Sequence, residues 1–95
     1  VHALRVRFFF FLKEAAGTDE VLIPAGSAPC LRALVQVLQD RFGERLARQI
    51  VTEDGEIRRD INILVNGRNV QFLEGADTKL DDDDTISFLS PVAGG

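Results

Sequence analysis

The chain predicts an α+β roll, one sheet wrapped over a single main helix. Three observations carry that expectation. Apolar residues alternate with period two over Leu4–Phe10, Ile61–Val65 and Thr85–Leu89, the pattern of half-buried strands. Between them Leu31, Leu34, Val35, Leu38 and Phe42 recur at steps of three and four, which is one apolar stripe on a helix of about three to four turns. The 95 residues suffice for one domain with a single core and no more.

Composition narrows the function. Hydrophobic residues make up 45% and charged residues 27%, a balance that allows a folded core. The net charge of −4 argues against nucleic acid and anionic membranes as partners, because both need clustered excess cations. Cys30 is the one cysteine, so neither an intramolecular disulfide nor a multi-cysteine zinc site can form. That suits a reducing, cytoplasmic setting. No apolar run approaches a membrane span, and Val1–Arg7 reads as a strand rather than a signal peptide. Lys13 and Lys79 are the only lysines, against nine arginines, a bias to which the sequence attaches no function.

The elements follow in order. In the first strand Leu4, Val6, Phe8 and Phe10 are expected to face the core. Arg5, Arg7, Phe9 and Phe11 are expected on the other face. Lys13–Thr18 reads as a hairpin connection, with Gly17 supplying the unusual φ. Asp19–Pro24 is a second strand, which Pro24 ends because proline donates nothing to a ladder. Ser27 is the expected N-cap of the helix, with Pro29 in its first turn. Gly43 ends that helix. Glu44–Val51 adds a short irregular helix with Leu46 and Ile50 inward, and Asp54-Gly55 is a turn.

Ile61, Ile63 and Val65 form a third strand, with Asn62 and Leu64 on its other face. Asn66-Gly67 is a tight-turn signal, and Val70 and Phe72 are expected in a short edge segment. Asp81–Asp84 is a turn. In the last strand Ile86 and Phe88 point inward, Ser87 and Leu89 outward. No internal repeat or low-complexity linker interrupts the chain. Residues 1–90 form the expected domain and 91–95 a free tail.

One helix covers only one sheet face. Phe9, Phe11, Leu64 and Leu89 are expected together on the open face, and an apolar cluster there reads as a protein-docking surface. Side-chain catalysis has few candidates. His2 is the only histidine and reads as a solvated terminal residue. Cys30 is expected near the third helical position. There a helix N-terminus could lower its pKa, yet a small packed residue is the preferred reading. Four consecutive aspartates do not space oxygen ligands around a cation, so Asp81–Asp84 reads as a solvated turn. Isolated glycines make no phosphate loop.

The remaining chemical handle is the ending Pro91-Val92-Ala93-Gly94-Gly95. Two glycines without Cβ atoms can lie extended in a slot too narrow for a side chain. A carboxylate on Gly95 is a poor electrophile until a partner activates it, for example as an acyl-adenylate. Five extended residues span at most about 17 Å, enough to enter a partner's cleft while the domain docks outside.

These residues resemble the MoaD/ThiS group of ubiquitin-like β-grasp sulfur carriers, and archaeal MoaD-type members in particular. The likeness runs over Arg7-Phe8-Phe9 through Lys13-Glu14-Ala15-Ala16-Gly17-Thr18, over Ile61–Gly67 and over Phe88–Gly95. Ser90 stands where the family has the first proline of the tail. Asp83 stands where it has the glycine of an Asp-Gly-Asp turn. The resemblance implies a ubiquitin-like roll whose mixed sheet of four to five strands packs on one helix and bears a flexible Gly-Gly tail. A MoeB-type, E1-like enzyme would adenylate Gly95 with ATP and magnesium, and a sulfur donor would leave a thiocarboxylate. A MoaE-type large subunit would accept the tail (Pro91, Val92, Ala93, Gly94 and Gly95), and sulfur would build the dithiolene of molybdopterin. Phe9 and Leu89 match the family's docking face. The same tail chemistry would serve a protein modifier joined to target lysines, or a carrier for tRNA 2-thiolation. A plain interaction domain with an inert tail is a third class.

Overall fold

The computed structural model describes residues 3–89. Strand β1 (Ala3–Phe9) runs into helix α1 (Phe11–Ala16), and β2 (Glu20–Pro24) returns antiparallel to β1. A short 3-10 turn leads to helix α2 (Leu31–Phe42), followed by α3 (Glu44–Ile50). Strands β3 (Asn62–Val65), β4 (Arg68–Asn69) and β5 (Thr85–Leu89) complete a five-stranded mixed sheet in the order β2-β1-β5-β3-β4. The central pair, β1 and β5, is parallel, and Phe9 lies opposite Leu89. This is the expected ubiquitin-like β-grasp roll, with five strands.

The inward side chains Leu4, Val6, Phe8, Ile23, Ile63, Val65, Ile86 and Phe88 form one buried cluster with Leu31, Leu34, Val35 and Leu38 of α2. Leu46 and Ile50 of α3 join it, as expected. Phe8 sits at its centre, edge-on to Phe42 at 5.7 Å and tilted against Phe88 at 5.9 Å. Gly43 ends α2 at φ 81, and its N–H donates to the Gln39 carbonyl at 2.9 Å.

Four expectations are corrected. Phe10 does not face the core: it is 55% exposed and holds φ 57. The chain turns there, and Lys13–Ala16, good helix formers, continue α1 instead of a hairpin loop. Leu12 takes the core position, fully buried. Gly17 caps α1 in the left-handed region, its N–H donating to the Lys13 carbonyl at 2.9 Å. Four phenylalanines in a row carry no alternation, so the strand's end was hidden in the pattern.

Secondly, Ser27 is not the N-cap of α2. It lies in the 3-10 turn Ala25–Ser27, and the cap is Cys30 in an extended conformation. Pro29 disfavours helical geometry just before it, and Cys30 forms an isolated bridge with Lys79. The Leu31 N–H donates to the Thr78 carbonyl at 2.9 Å, which serves a helix-start donor that a capping side chain would otherwise take. Thirdly, Cys30 therefore precedes the helix instead of occupying its third position. Fourthly, Val70–Phe72 is a 3-10 turn, its Gln71 N–H capped by the Asn69 side chain at 3.0 Å. Val70 is buried while Phe72 is 83% exposed.

Candidate partner-docking face and tail root

The outward face of the sheet is defined by register. Leu22, Arg5 and Thr85 lie in one row across β2, β1 and β5. Glu20, Arg7, Ser87, Leu64 and Asn69 form the next. Phe9, Leu89 and Asn62 form the last. Neighbouring strands stand about 4.8 Å apart, so Phe9, Leu89 and Leu64 make one half-buried apolar patch. The Arg7 guanidinium lies over the Phe9 ring at 5.2 Å from its centroid. Arg5 and Glu20 pair at 3.7 Å in solvent, a contact of little energetic weight.

Three of the four residues read as a docking cluster thus share the sheet face. Phe11 does not: it lies on α1, 60% exposed, beyond the strand's end. It lines an open cleft of ≈ 880 Å³ with Phe9, Phe10, Lys13, Glu14 and Asp19. Leu22 is 55% exposed in the first row and escaped the sequence reading. The alternation of Glu20, Leu22 and Pro24 against buried Val21 and Ile23 was the available signal. Gly94, Gly95, Pro91, Val92, Ala93, Ser90 and His2 lie outside the described residues. What the structure does place is the tail's root. β5 ends at Leu89 beside Phe9, in the patch itself.

The opposite end of β5 is held by polar groups. Asn66, at φ 52, accepts a bond from the Thr85 N–H at 2.9 Å and donates to Asp84 at 2.8 Å. Asp84 in turn accepts from the Asp81 N–H at 2.8 Å. Asp83 adopts φ 68, the conformation that a glycine would take with less strain. So the acidic run is an organised turn. Among the described residues no three His, Cys, Asp or Glu side chains are placed to hold a metal ion, and no helix is long and apolar enough to cross a membrane. Among the described residues the shortest ion pair lies elsewhere. Arg58 grips Asp60 through two hydrogen bonds of 2.9 and 2.6 Å. Those bonds hold the Asp60 carboxyl below its ordinary range and raise the Arg58 guanidinium further.

A five-stranded roll with a central parallel pair and a half-buried apolar patch at the exit of its last strand defines a ubiquitin-like β-grasp protein. The ThiS family model matches residues 6–95, and the chain belongs to that family of ubiquitin-like sulfur carriers and modifiers. It is 35% identical over 92 residues to small archaeal modifier protein 3 of Haloferax volcanii, covering 97% of this chain and 98% of the relative. A candidate sulfur carrier protein of Archaeoglobus fulgidus is 40% identical over 62 residues, 65% of this chain and 69% of the relative. Among solved structures, small archaeal modifier protein 1 of Methanosarcina acetivorans superposes with a TM-score of 0.80 at 34% identity, over 99% of this chain and 97% of the other. A candidate molybdopterin converting factor, subunit 1, of Pyrococcus furiosus gives 0.73 at 28% identity, over 97% and 100%.

Proposed function

We propose that this chain carries sulfur on Gly95. A MoeB-type partner adenylates the Gly95 carboxylate with its own ATP and magnesium, releasing pyrophosphate. A sulfur nucleophile then attacks the carbonyl carbon, AMP leaves, and a thiocarboxylate remains. The observation that carries this reading is the position of the tail root. Leu89 ends β5 inside the Phe9–Leu64–Leu89 patch, so a partner that covers the patch also receives the tail. Six residues beyond Leu89 reach at most about 20 Å, the depth of a buried active site. The destination proposed for the sulfur is the dithiolene of molybdopterin, with this chain as the small subunit beside a MoaE-type large subunit in the cytoplasm. Likeness to the Pyrococcus furiosus converting factor supports it.

Intact-mass measurement tests the carrier chemistry. Incubation with a MoeB-type enzyme, ATP, magnesium and a sulfur source should exchange one oxygen for one sulfur at Gly95. Deleting Gly95 should remove that change and leave the far-UV circular dichroism intact. An unchanged wild-type mass sinks the reading. A second reading, a protein modifier joined to target lysines, is favoured by the near full-length match to small archaeal modifier protein 3. Conjugates on cellular lysines would select it. Loss of 2-thiouridine from tRNA in a deletion strain would select tRNA thiolation. Molybdopterin formed from precursor Z with the large subunit would select the first.

A further inference from the structure

We propose that Phe10 is a partner-binding residue, held outward by a strained turn so that its ring lines a cleft for a neutral, apolar segment of the adenylating enzyme. The inference rests on the reading that such an enzyme covers the sheet face. It concerns a residue outside the Phe9–Leu64–Leu89 patch.

Phe10 joins β1 to α1 at φ 57 and ψ −125. A Cβ crowds the backbone in that region, and a bulky side chain there is a genuine outlier. The chain treats such positions differently elsewhere. The other positive-φ positions among the described residues hold five glycines, Asn66 and Asp83, residue types that tolerate the conformation. Turn geometry gives no reason for phenylalanine. The Phe10 carbonyl accepts from the Glu14 N–H at 3.3 Å, a bond that a glycine would make equally.

Nor does the core need this ring. Leu12 fills the inward position and is fully buried, while Phe10 is 55% exposed. Packing therefore offsets little of the strain, and the ring leaves apolar surface in water. Local strain persists where the strained residue serves a contact outside the fold.

The surroundings indicate the kind of contact. Phe9, Phe10 and Phe11 line the cleft of ≈ 880 Å³. Arg7 and Lys13 line it together with Glu14 and Asp19, so the formal charges cancel. Such a lining favours neither a polyanion nor a polycation, whereas aromatic side chains are common anchors of protein interfaces. Phe9 also lies beside Leu89 in the outward row of the sheet. The cleft is thus continuous with the patch, and an enzyme seated on the patch meets the cleft at Phe9.

Binding of the full chain to a MoeB-type enzyme, measured calorimetrically without ATP, tests the proposal. Omitting ATP separates docking from sulfur carriage, which the intact mass reads on its own. F10A and F10G should each raise Kd about tenfold, the weight of one interface anchor. F10L keeps an apolar side chain and should recover most of that loss. The melting temperature, followed by far-UV circular dichroism, isolates the turn. F10G should melt about 4 °C above F10A, because glycine relieves the positive φ and alanine does not. Equal melting of the two would show an unstrained turn and overturn the proposal. Wild-type affinity in F10A overturns it while leaving sulfur carriage standing, and so does a wild-type dimer in sedimentation that F10A abolishes, since a second copy would then fill the cleft. Failure of the wild type to bind the enzyme overturns it as well.

Discussion

Replacing Phe8 and Phe9 separately by alanine tests the sheet parity on which the docking face depends. Phe8 is 1% exposed and packs against Phe42 and Phe88. Its truncation removes a buried ring and leaves a cavity, at about 3–5 kcal/mol. A fold of 95 residues is stable by roughly 5–14 kcal/mol, so F8A should lose a large share of it. Phe9 is half-buried on the other face. Partial loss of its area costs about 1 kcal/mol, and the Arg7 contact about 0.5–1 kcal/mol more. The two neighbours should therefore differ by about 1–3.5 kcal/mol. The chain has no tryptophan or tyrosine, so urea unfolding is best followed by far-UV circular dichroism. Activation by a MoeB-type enzyme supplies the second readout. F9A should raise the concentration needed by about tenfold, the weight of one interface anchor. Equal destabilisation by F8A and F9A would refute the parity argument. Unchanged activation of F9A would refute the docking role.

Asn66→Ala should cost about 2–3 kcal/mol, because it loses bonds to Thr85 and Asp84 and puts at φ 52 a residue that tolerates the left-handed region less well than asparagine does. N66G should recover the backbone part only, and equal thermal melts for N66A and wild type would contradict this account. Asp60→Asn tests the Arg58 pair. Because the folded-state pKa of Asp60 lies below 3.8, its contribution is present above the unfolded value and vanishes as pH falls through the folded one. Both partners are well exposed, so the loss at neutral pH should stay below about 1 kcal/mol. In strong acid D60N and wild type should unfold alike in a pH-resolved urea titration.

Where the chain repeats a period, the sequence was legible. Leu31, Leu34, Val35 and Leu38 lie buried as the helical stripe required. Ile86, Phe88, Ile61, Ile63 and Val65 lie buried as the alternation required. Asn66-Gly67 turns with both φ angles positive, 52 and 85, as that dipeptide favours. Legibility failed where identical residues erased the period. Phe8 to Phe11 read the same at every step, so neither the end of β1 nor the switch from Phe10 to Leu12 was visible. It failed also where a distant backbone did the work of a side chain, as Thr78 does at the start of α2.

The sequence by itself determined the main strands and the long helix, most of each strand's inward set, and the glycine pair at residues 94 and 95, because local periodicity and the missing Cβ of glycine are properties of short segments. Only the tertiary structure decided that β1 and β5 lie parallel with Phe9 beside Leu89. Strand order and direction arise from pairing between segments some eighty residues apart, and no local pattern encodes them. That pairing sets Leu89 beside Phe9, the β3–β5 pairing adds Leu64 to the same face, and the turn at Phe10 moves Phe11 off it onto α1.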